Sequence, residues 1–310
     1  MKAVPECIPC VLKIAVETVE RAVPEDSKKE AILTATERVA ELYSREPTPQ
    51  PPRLGTEAQL KVMEYAEDPD PYKEDKEIAN ERALELAEEL ESDIENLDVD
   101  EKLKRAVVAA IAGNVIDFAV AEHEFNLDDL KYEIQETEPR VYDIDPEELK
   151  DAKVVYLCDN AGEIALDRVL IKVLIEDLDA DVTAVVRGEP IVNDATIEDA
   201  KAVGLTEVCE VKDTGGPMLG LLLDDTSEEF RRLLESADVV VSKGQGNFES
   251  IPDEPFPDVP VYFLLRAKCG PVAEELNVSV GDYVAKRWEP GPDNVERWRG
   301  MMNEEPCGHG

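Results

Sequence analysis

Histidine and basic residues are scarce in this sequence of 310 residues. It has 2 histidines, His123 and His309, which are too few for a metal site or a catalytic site built on imidazole groups. Lysine and arginine number 33 against 72 aspartates and glutamates, which gives a formal net charge of −39. Nucleic acids and anionic membrane surfaces both bind proteins through lysine and arginine, so we expect neither as a partner.

Long apolar runs are also missing. No stretch of about 18 apolar residues occurs, so we predict no transmembrane helix. The segment 1–22 contains Glu6 and two cysteines and continues into a charged amphipathic helix, unlike a secretory signal peptide. The six cysteines lack the dense spacing of a disulfide framework and predict mostly reduced thiols. Together with a strongly acidic surface, which suits a salt-rich cytosol, these features predict a cytoplasmic protein.

The apolar residues that are present predict a folded chain with two different halves. Hydrophobic residues make up 43% of the sequence, which is enough for a buried core although 34% of the residues are charged. Up to about residue 150, apolar residues recur at helical intervals, and the segment 101–123 is the most apolar. A proline-rich stretch, 47–54, interrupts this pattern as a connector. We therefore predict a helical domain over residues 1–150.

Beyond residue 150 the pattern becomes that of an α/β fold. Helical segments alternate there with short runs of β-branched and apolar residues. The runs that we predict as strands are 152–158, 181–187, 205–212, 238–244 and 259–268. Continuous apolar strands between helices indicate a mostly parallel sheet that is covered on both faces. We therefore predict a three-layer α/β/α core over residues 151–310.

Polar residues follow each predicted strand, and the first two strands carry the clearest candidates for a metal site. Asp159 and Asn160 follow the first strand, and Asp194 follows the second. Open α/β sheets bind ligands at the carboxyl ends of their strands, so these side chains are expected to lie close together. Their oxygen atoms suit Mg²⁺ or Mn²⁺. The alternative is that they only cap the helices that come after them.

A lysine and a glycine-rich loop follow the fourth predicted strand. Lys243 could neutralise phosphate oxygens as a point charge, and Gly244 would let the backbone approach a ligand closely. The alternative is an ordinary lysine in a turn. Glu163, Asn193 and Lys268 also follow strands, and we include them with Gly244 as candidates for substrate binding.

Asn114 and Asp117 lie on the most apolar predicted helix. Polar groups on a buried helix need partners. The two residues therefore belong either to a structural polar network or to the substrate-binding site, which they would face from the helical half.

Cys7 and Cys10 form a CxxC pair near the start of the chain. Such a pair is half of a zinc site, and no second CxxC follows. Cys269 or Cys307 could complete the site in space. The pair therefore has three interpretations: a second metal site, a redox pair, or inert buried thiols.

Several of these segments together resemble the damage-control phosphatase family, in its microbial stand-alone branch. They keep the order expected for that family and are spread across nearly the whole chain. They are CIPC (7–10), AGNVIDFA (112–119), CDNAGEIALD (158–167), VRGEPIVNDAT (186–196) and VVVSKGQGNFES (240–250). The combination is much more specific than any one segment.

The resemblance implies an α/β/α core beside a helical domain. It implies that Asp159, Asn160 and Asp194 are metal ligands and that Lys243 contacts the substrate phosphate. The implied activity is hydrolysis of phosphate esters of small metabolites, including damaged forms, supported by Mn²⁺, Ni²⁺, Co²⁺ or Mg²⁺. The sequence does not depart from the family pattern at these four residues.

The residues also fit the chemistry of phosphoryl transfer, which depends mainly on positioning and on neutralising charge. Asp159, Asp194 and Lys243 are therefore the catalytic candidates, and backbone N–H groups near Gly162 could bind the phosphate. Whether an aspartate attacks directly stays open, although no DxD signature follows the first strand. A methyltransferase that uses S-adenosylmethionine and a non-enzymatic phospho-metabolite binding protein are the alternatives. The sequence predicts no oligomeric state.

Overall fold

Seven strands form one sheet in this computed structural model, which describes residues 1–113 and 127–303. The strands are β1 (Val141–Tyr142), β2 (Lys153–Leu157), β3 (Asp181–Val186), β4 (Glu210–Asp213), β5 (Val239–Lys243), β6 (Val261–Arg266) and β7 (Tyr283–Trp288). Their spatial order is β1-β7-β6-β5-β2-β3-β4. Every neighbouring pair is parallel except β6 and β7, which are antiparallel.

The central strands are buried on both faces. Alternate residues of a strand point to opposite faces, and β2 shows this directly. Val154 and Tyr156 belong to one hydrophobic cluster, whereas Val155 and Leu157 belong to another. The sheet therefore has packed layers on both sides, and the predicted three-layer α/β/α core with a mostly parallel sheet is confirmed.

Helices precede the sheet and then alternate with its strands. Those before the main strands are α1 (Cys7–Ala22), α2 (Lys28–Tyr43), α3 (Pro51–Ala66), α4 (Lys73–Ile94), α5 (Val99–Ala112) and α6 (Leu127–Glu136). Those among and after the strands are α7 (Pro146–Leu149), α8 (Glu163–Leu178), α9 (Ile197–Ala202), α10 (Glu228–Glu235), α11 (Gln245–Ser250), α12 (Gly270–Leu276) and α13 (Pro292–Asn303). Within the described residues, no helix is long and apolar enough to cross a membrane.

The helical region contributes directly to one layer of the core. Helices α4 and α5 share a hydrophobic cluster with α8 and the sheet, through residues such as Leu86, Ile111 and Leu166. Helices α1 to α3 form a separate cluster that includes Val19 and Val39. The helical region predicted before the sheet is present, and a domain boundary near residue 150 stays a prediction.

The structure differs from the local predictions at three points. Helix α3 begins at Pro51, so the second half of the proline-rich stretch is helical, because proline is compatible with the first turn of a helix. Strand β4 is confined to Glu210–Asp213, since Leu205–Glu207 forms a 3₁₀ turn. Strands β1 and β7 were not predicted.

Candidate active site

The loops that follow β2 and β3 run side by side at the carboxyl edge of the sheet. Asn160 and Asp194 form an antiparallel backbone bridge between these loops. The Ala161 N–H donates to the Asn193 carbonyl at 2.9 Å, and the Ala195 N–H donates to the Asp159 carbonyl at 2.8 Å. The backbone therefore brings the three predicted metal ligands together from two neighbouring strands.

Neither aspartate caps the helix that follows it. Helix α8 begins after Gly162, and no side chain caps it. Helix α9 begins after Thr196, whose N–H is bound by the carboxylate of Asp199 at 2.8 Å. The alternative interpretation of Asp159 and Asp194 as capping residues is therefore wrong.

Each ligand candidate is held by a polar neighbour. Asp194 is buried, and its Oδ2 accepts from Nε of the buried Arg187 at 2.7 Å. Nδ2 of Asn160 donates to Oδ2 of Asp159 at 3.1 Å and to Oε2 of Glu163 at 3.3 Å. The amide nitrogen of Asn160 thus faces two carboxylates.

The surroundings of Asp159 and Asp194 disfavour the ionised forms of both side chains. Burial raises the pKa of Asp159 to about 8, although part of the side chain stays exposed, and the charges of Asp194 and Glu163 add to the effect. Burial also raises the pKa of Asp194. The positive charge of Arg187 lowers this pKa and offsets the effect of burial only in part. A cation between the two carboxylates would stabilise both as anions.

The donor atoms fit a hard divalent ion. Two carboxylates and one amide supply oxygen ligands, the type that Mg²⁺ and Mn²⁺ take in proteins. Across residues 1–113 and 127–303, no group of three or more His, Cys, Asp or Glu side chains is arranged to hold a metal. Among the described residues, a metal at this edge would therefore use the amide of Asn160 beside Asp159 and Asp194.

Lys243 is the last residue of β5 and is completely buried. Its ammonium group pairs with Oε1 of Glu163 and, at 2.8 Å, with Oδ1 of Asp167, which also accepts from the Tyr156 hydroxyl at 2.7 Å. Burial lowers the pKa of Lys243, but the two carboxylates outweigh it, so the net pKa is raised and the lysine is cationic. Lys243 reaches Asn160 through Glu163, and direct contact with a phosphate stays a prediction.

Gly244 lies against the carboxylate of Asp159. Its φ of +82° is in the region that favours glycine, and a Cβ added here would lie 1.9 Å from Oδ2 of Asp159. The glycine after β5 therefore makes room for the first predicted metal ligand.

Comparison with known proteins identifies the family of this chain. The sequence profile of the damage-control phosphatase ARMT1-like domain matches residues 3–284. The chain belongs to the damage-control phosphatase family. This finding confirms the resemblance carried by the segments around Asp159, Asp194 and Lys243.

Relatives in the family are similar over almost their full length. A damage-control phosphatase from Archaeoglobus fulgidus is 38% identical over 297 residues, which cover 92% of this chain and 99% of the relative. One from Pyrococcus horikoshii is 34% identical over 294 residues, which cover 93% and 98%. The crystal structure of a DUF89 family protein from Pyrococcus horikoshii matches with a TM-score of 0.82 at 34% identity, over 93% of this chain and 99% of that one. These similarities support phosphatase activity.

In this member of the damage-control phosphatase family, the other residues predicted for the site lie in differing surroundings. The Gly162 N–H donates to Oδ1 of Asn80 at 2.7 Å, so this N–H is not available to a phosphate. Lys268 is exposed, and its N–H donates to Oε1 of Gln245 at 2.9 Å. Asn114 and Asp117 lie outside the described residues.

Cys7 and Cys10 lie in the first turn of α1 as free thiols. Burial raises the pKa of both, for Cys10 only by partial burial since the residue is exposed at the surface, and Glu249 and Cys269 add to the effect. Cys269, one of the two cysteines that could complete the site in space, therefore lies within electrostatic reach of the pair. A role for Cys7 and Cys10 in metal binding or redox chemistry stays a prediction.

Two residues of this region were missed in the sequence. Arg187 directly follows β3, so its position after a predicted strand was a usable signal. Asn80 lies in a helix rich in glutamate, and nothing in its sequence neighbourhood distinguishes it.

Proposed function

We propose that this member of the damage-control phosphatase family is a metal-dependent phosphatase that hydrolyses phosphate monoesters of small metabolites, including damaged forms. The observation that carries the proposal is the backbone bridge between Asn160 and Asp194, which holds the loops of the three proposed oxygen ligands side by side at the carboxyl edge of the sheet. The metal would be Mn²⁺, Ni²⁺, Co²⁺ or Mg²⁺. The protein would act in the cytoplasm, and its net charge of −39 opposes nucleic acids and membranes as partners.

The residues of the site would divide the work between holding the ion and balancing charge. Asp159, Asn160 and Asp194 would hold the ion, which supplies Lewis-acid stabilisation of the phosphate charge when bound. Arg187 orients Asp194 through the bond from its Nε. Gly244 leaves the space that the Asp159 carboxylate occupies.

Two lysines would have different tasks. Lys243 is buried between Glu163 and Asp167, so it would fix the orientation of Glu163 and through it Asn160. Lys268 is exposed, and its charge lowers the pKa of Asp159. Lys268 is therefore the better placed of the two to contact a phosphate from solvent.

Phosphate release from an aryl phosphate tests the proposal. We expect hydrolysis that stops when a chelator removes the metal and returns when Mn²⁺ is restored. Full activity after exhaustive chelation would contradict the metal-dependent mechanism. No phosphate release with any of the four ions would instead favour a binding protein or a different enzyme class.

Asp159→Asn provides the matched test of the ligand assignment. The change keeps the size of the side chain and removes one negative charge from the site. We expect turnover to fall on the order of a hundredfold or more, as when one charge-stabilising group is lost. The metal-free variant should melt no lower than the wild type, because ionised Asp159 is disfavoured by burial. A variant with wild-type turnover and Mn²⁺ affinity would remove Asp159 from the ligand set.

A further inference from the structure

Asn80 on helix α4 connects the two loops that carry the proposed metal ligands. The side chain is 4% exposed. Its Oδ1 accepts the Gly162 N–H at 2.7 Å, and its Nδ2 donates to Oδ1 of Asp199 at 2.8 Å. Gly162 ends the loop that contains Asp159, whereas Asp199 lies in the first turn of α9, just after Asp194. One amide of the helical region therefore binds the first loop and the helix α9 that directly follows the second loop.

The surroundings leave this amide little freedom. Gly162 has a φ of +75°, and a Cβ added there would lie 3.0 Å from Cβ of Ala79, so α4 packs directly on the loop. The other carboxylate oxygen of Asp199 accepts from the N–H and the hydroxyl of Thr196, both at 2.8 Å. Each oxygen of Asp199 thus has its own hydrogen-bond partner, with Nδ2 of Asn80 on Oδ1 and Thr196 on Oδ2. The ammonium group of the buried Lys76 lies 3.7 Å from Oδ2.

We propose that Asn80 is a positioning residue, which sets the separation of the two loops so that the oxygens of Asp159, Asn160 and Asp194 face one ion. The inference rests on the proposed metal-dependent function. The backbone bridge at Asn160 joins the loops near the ligands, and Asn80 joins them again from the helical layer. Residues that orient metal ligands typically change metal affinity by about 10- to 100-fold when they are altered.

The variant Asn80→Asp tests the two hydrogen bonds of the Asn80 side chain separately, because it keeps one and removes the other. The new side chain has the same size and still offers an oxygen to the Gly162 N–H. It loses the donor to Asp199 and places a second carboxylate opposite it. We expect Mn²⁺ affinity, measured by calorimetry on protein stripped with a chelator, to weaken by about 10- to 100-fold. Turnover should largely return at saturating Mn²⁺, because a positioning residue acts on the ion only through the ligands that it holds in place.

An exchange of the two side chains provides the rescue. When Asp199→Asn is added to Asn80→Asp, the amide at position 199 donates to the carboxylate at position 80. Its oxygen can still accept from Thr196, and the net charge of the pair returns to that of the wild type. We therefore expect the double variant to recover most of the lost Mn²⁺ affinity, as coupled neighbours do in a double-mutant cycle.

Asn294→Asp is the matched control for a general loss of stability. Asn294 is also buried, and it donates to the carbonyls of Pro252 and Glu254, away from both loops. The control should lower the melting temperature and leave Mn²⁺ affinity unchanged. If Asn80→Asp does not fold, Asp199→Asn alone breaks the same hydrogen bond without adding charge, and it should also weaken Mn²⁺ binding.

Several outcomes would overturn the inference. If folded Asn80→Asp binds Mn²⁺ as tightly as the wild type, Asn80 is not a positioning residue, although the proposed function stands. The same conclusion holds for Asp199→Asn if that is the variant measured. A double variant that regains the wild-type melting temperature but not the Mn²⁺ affinity would also contradict the positioning role. If the wild-type protein itself binds no divalent ion, the proposed function fails first, and the role of Asn80 fails with it.

Discussion

At the scale of single residues, the site depends on close approaches between charged groups and backbone. Asp159 and Asp194 are neighbours in a region where burial raises the pKa of both. Arg187 forms an ion pair with Asp194, and the carboxylate of Asp159 lies against Gly244. Small changes in side-chain volume should therefore displace the carboxylates of this site more easily than equal changes would displace groups at the protein surface.

Gly244→Ala should disable the site through Asp159. The added methyl group would overlap Oδ2 of Asp159, and the φ of +82° is unfavourable for alanine. We expect the free energy of unfolding to fall by about 1–3 kcal/mol and Mn²⁺ binding to be lost with the displaced carboxylate. Calorimetry and denaturant titration measure the two effects.

Gly270→Ala is the matched control for this substitution. Gly270 is the first residue of α12, and a Cβ there would have no heavy atom within 4 Å. Alanine is also the better helix former, so this variant should be neutral or slightly stabilised. Equal behaviour of the two alanine variants would contradict the role assigned to Gly244.

The two lysines provide a second prediction at this scale. Lys243→Ala leaves Glu163 and Asp167 buried without their cation, and breaking such a pair typically costs about 3–5 kcal/mol of stability. Lys268→Ala should leave the melting temperature nearly unchanged because the residue is exposed. We expect it to raise KM for a phosphate ester by about 10- to 100-fold, as when one charged hydrogen bond worth about 1.5–3 kcal/mol is lost.

Steady-state kinetics and thermal melts of both lysine variants distinguish these roles. A stable Lys243→Ala protein with a raised KM would show that Lys243, rather than Lys268, contacts the phosphate. That result would agree with the assignment made from sequence resemblance and contradict the assignment made from burial.

At the scale of helices, the ends of α1, α11 and α12 meet beside the site. Glu249 on α11 accepts from Nε2 of Gln245 at 2.9 Å, and Gln245 also donates to the thiol of Cys269 at 3.5 Å. Burial raises the pKa of Glu249 to about 7, and the hydrogen bond from Gln245 opposes it only in part. This corner therefore contains an acid that titrates near neutral pH.

The stability of the protein should reflect that titration. Folded Glu249 keeps its proton up to a pH of about 7, whereas the unfolded chain releases it near the ordinary glutamate pKa of 4.5. The contribution of this group to stability is thus complete below pH 4.5 and is lost as the pH rises through about 7. Glu249→Gln should remove this dependence, so its advantage in melting temperature over the wild type should grow between about pH 5 and about pH 8.

An exposed acid on α12 provides the control for this pH effect. Glu274→Gln removes one acidic charge from the surface without altering the Glu249 corner. Its melting temperature should follow the wild-type pH profile. If Glu249→Gln also follows that profile, the side chain ionises normally in the folded protein, and the predicted titration is wrong.

At the scale of the whole molecule, charge of one sign dominates. The excess of 72 acidic over 33 basic residues gives a net charge of −39, and salt screens the resulting repulsion. We expect the melting temperature to rise between about 0.1 M and about 1 M KCl, over which the Debye length falls from about 10 Å to about 3 Å. A flat or falling melting temperature over this range would contradict a dominant role for repulsion.

The sequence alone was sufficient for the core strands and for the edge that carries the ligands. Strands such as β2 and β5 are continuous apolar runs, because a parallel sheet covered on both faces has no polar side. The residues that follow these strands must lie at one edge, and the structure places Asp159, Asn160 and Asp194 together there. β7 was missed because its last three residues include Lys286 and Arg287, and it is recognisable as a strand only beside β6.

Only the tertiary structure decided how the polar groups behind that edge are paired. Lys243 ends an apolar strand, and in the sequence it looks like an ordinary lysine before a turn. In the fold, α8 brings Glu163 and Asp167 against it and completes a buried ionic cluster. Asn80 lies in an acidic helix far away in the chain, and it becomes part of the site because α4 packs on Gly162. Periodicity and turn residues are local properties that a sequence displays directly. The pairing of a buried charge or amide depends on which distant segment packs over it, so it follows only from the fold.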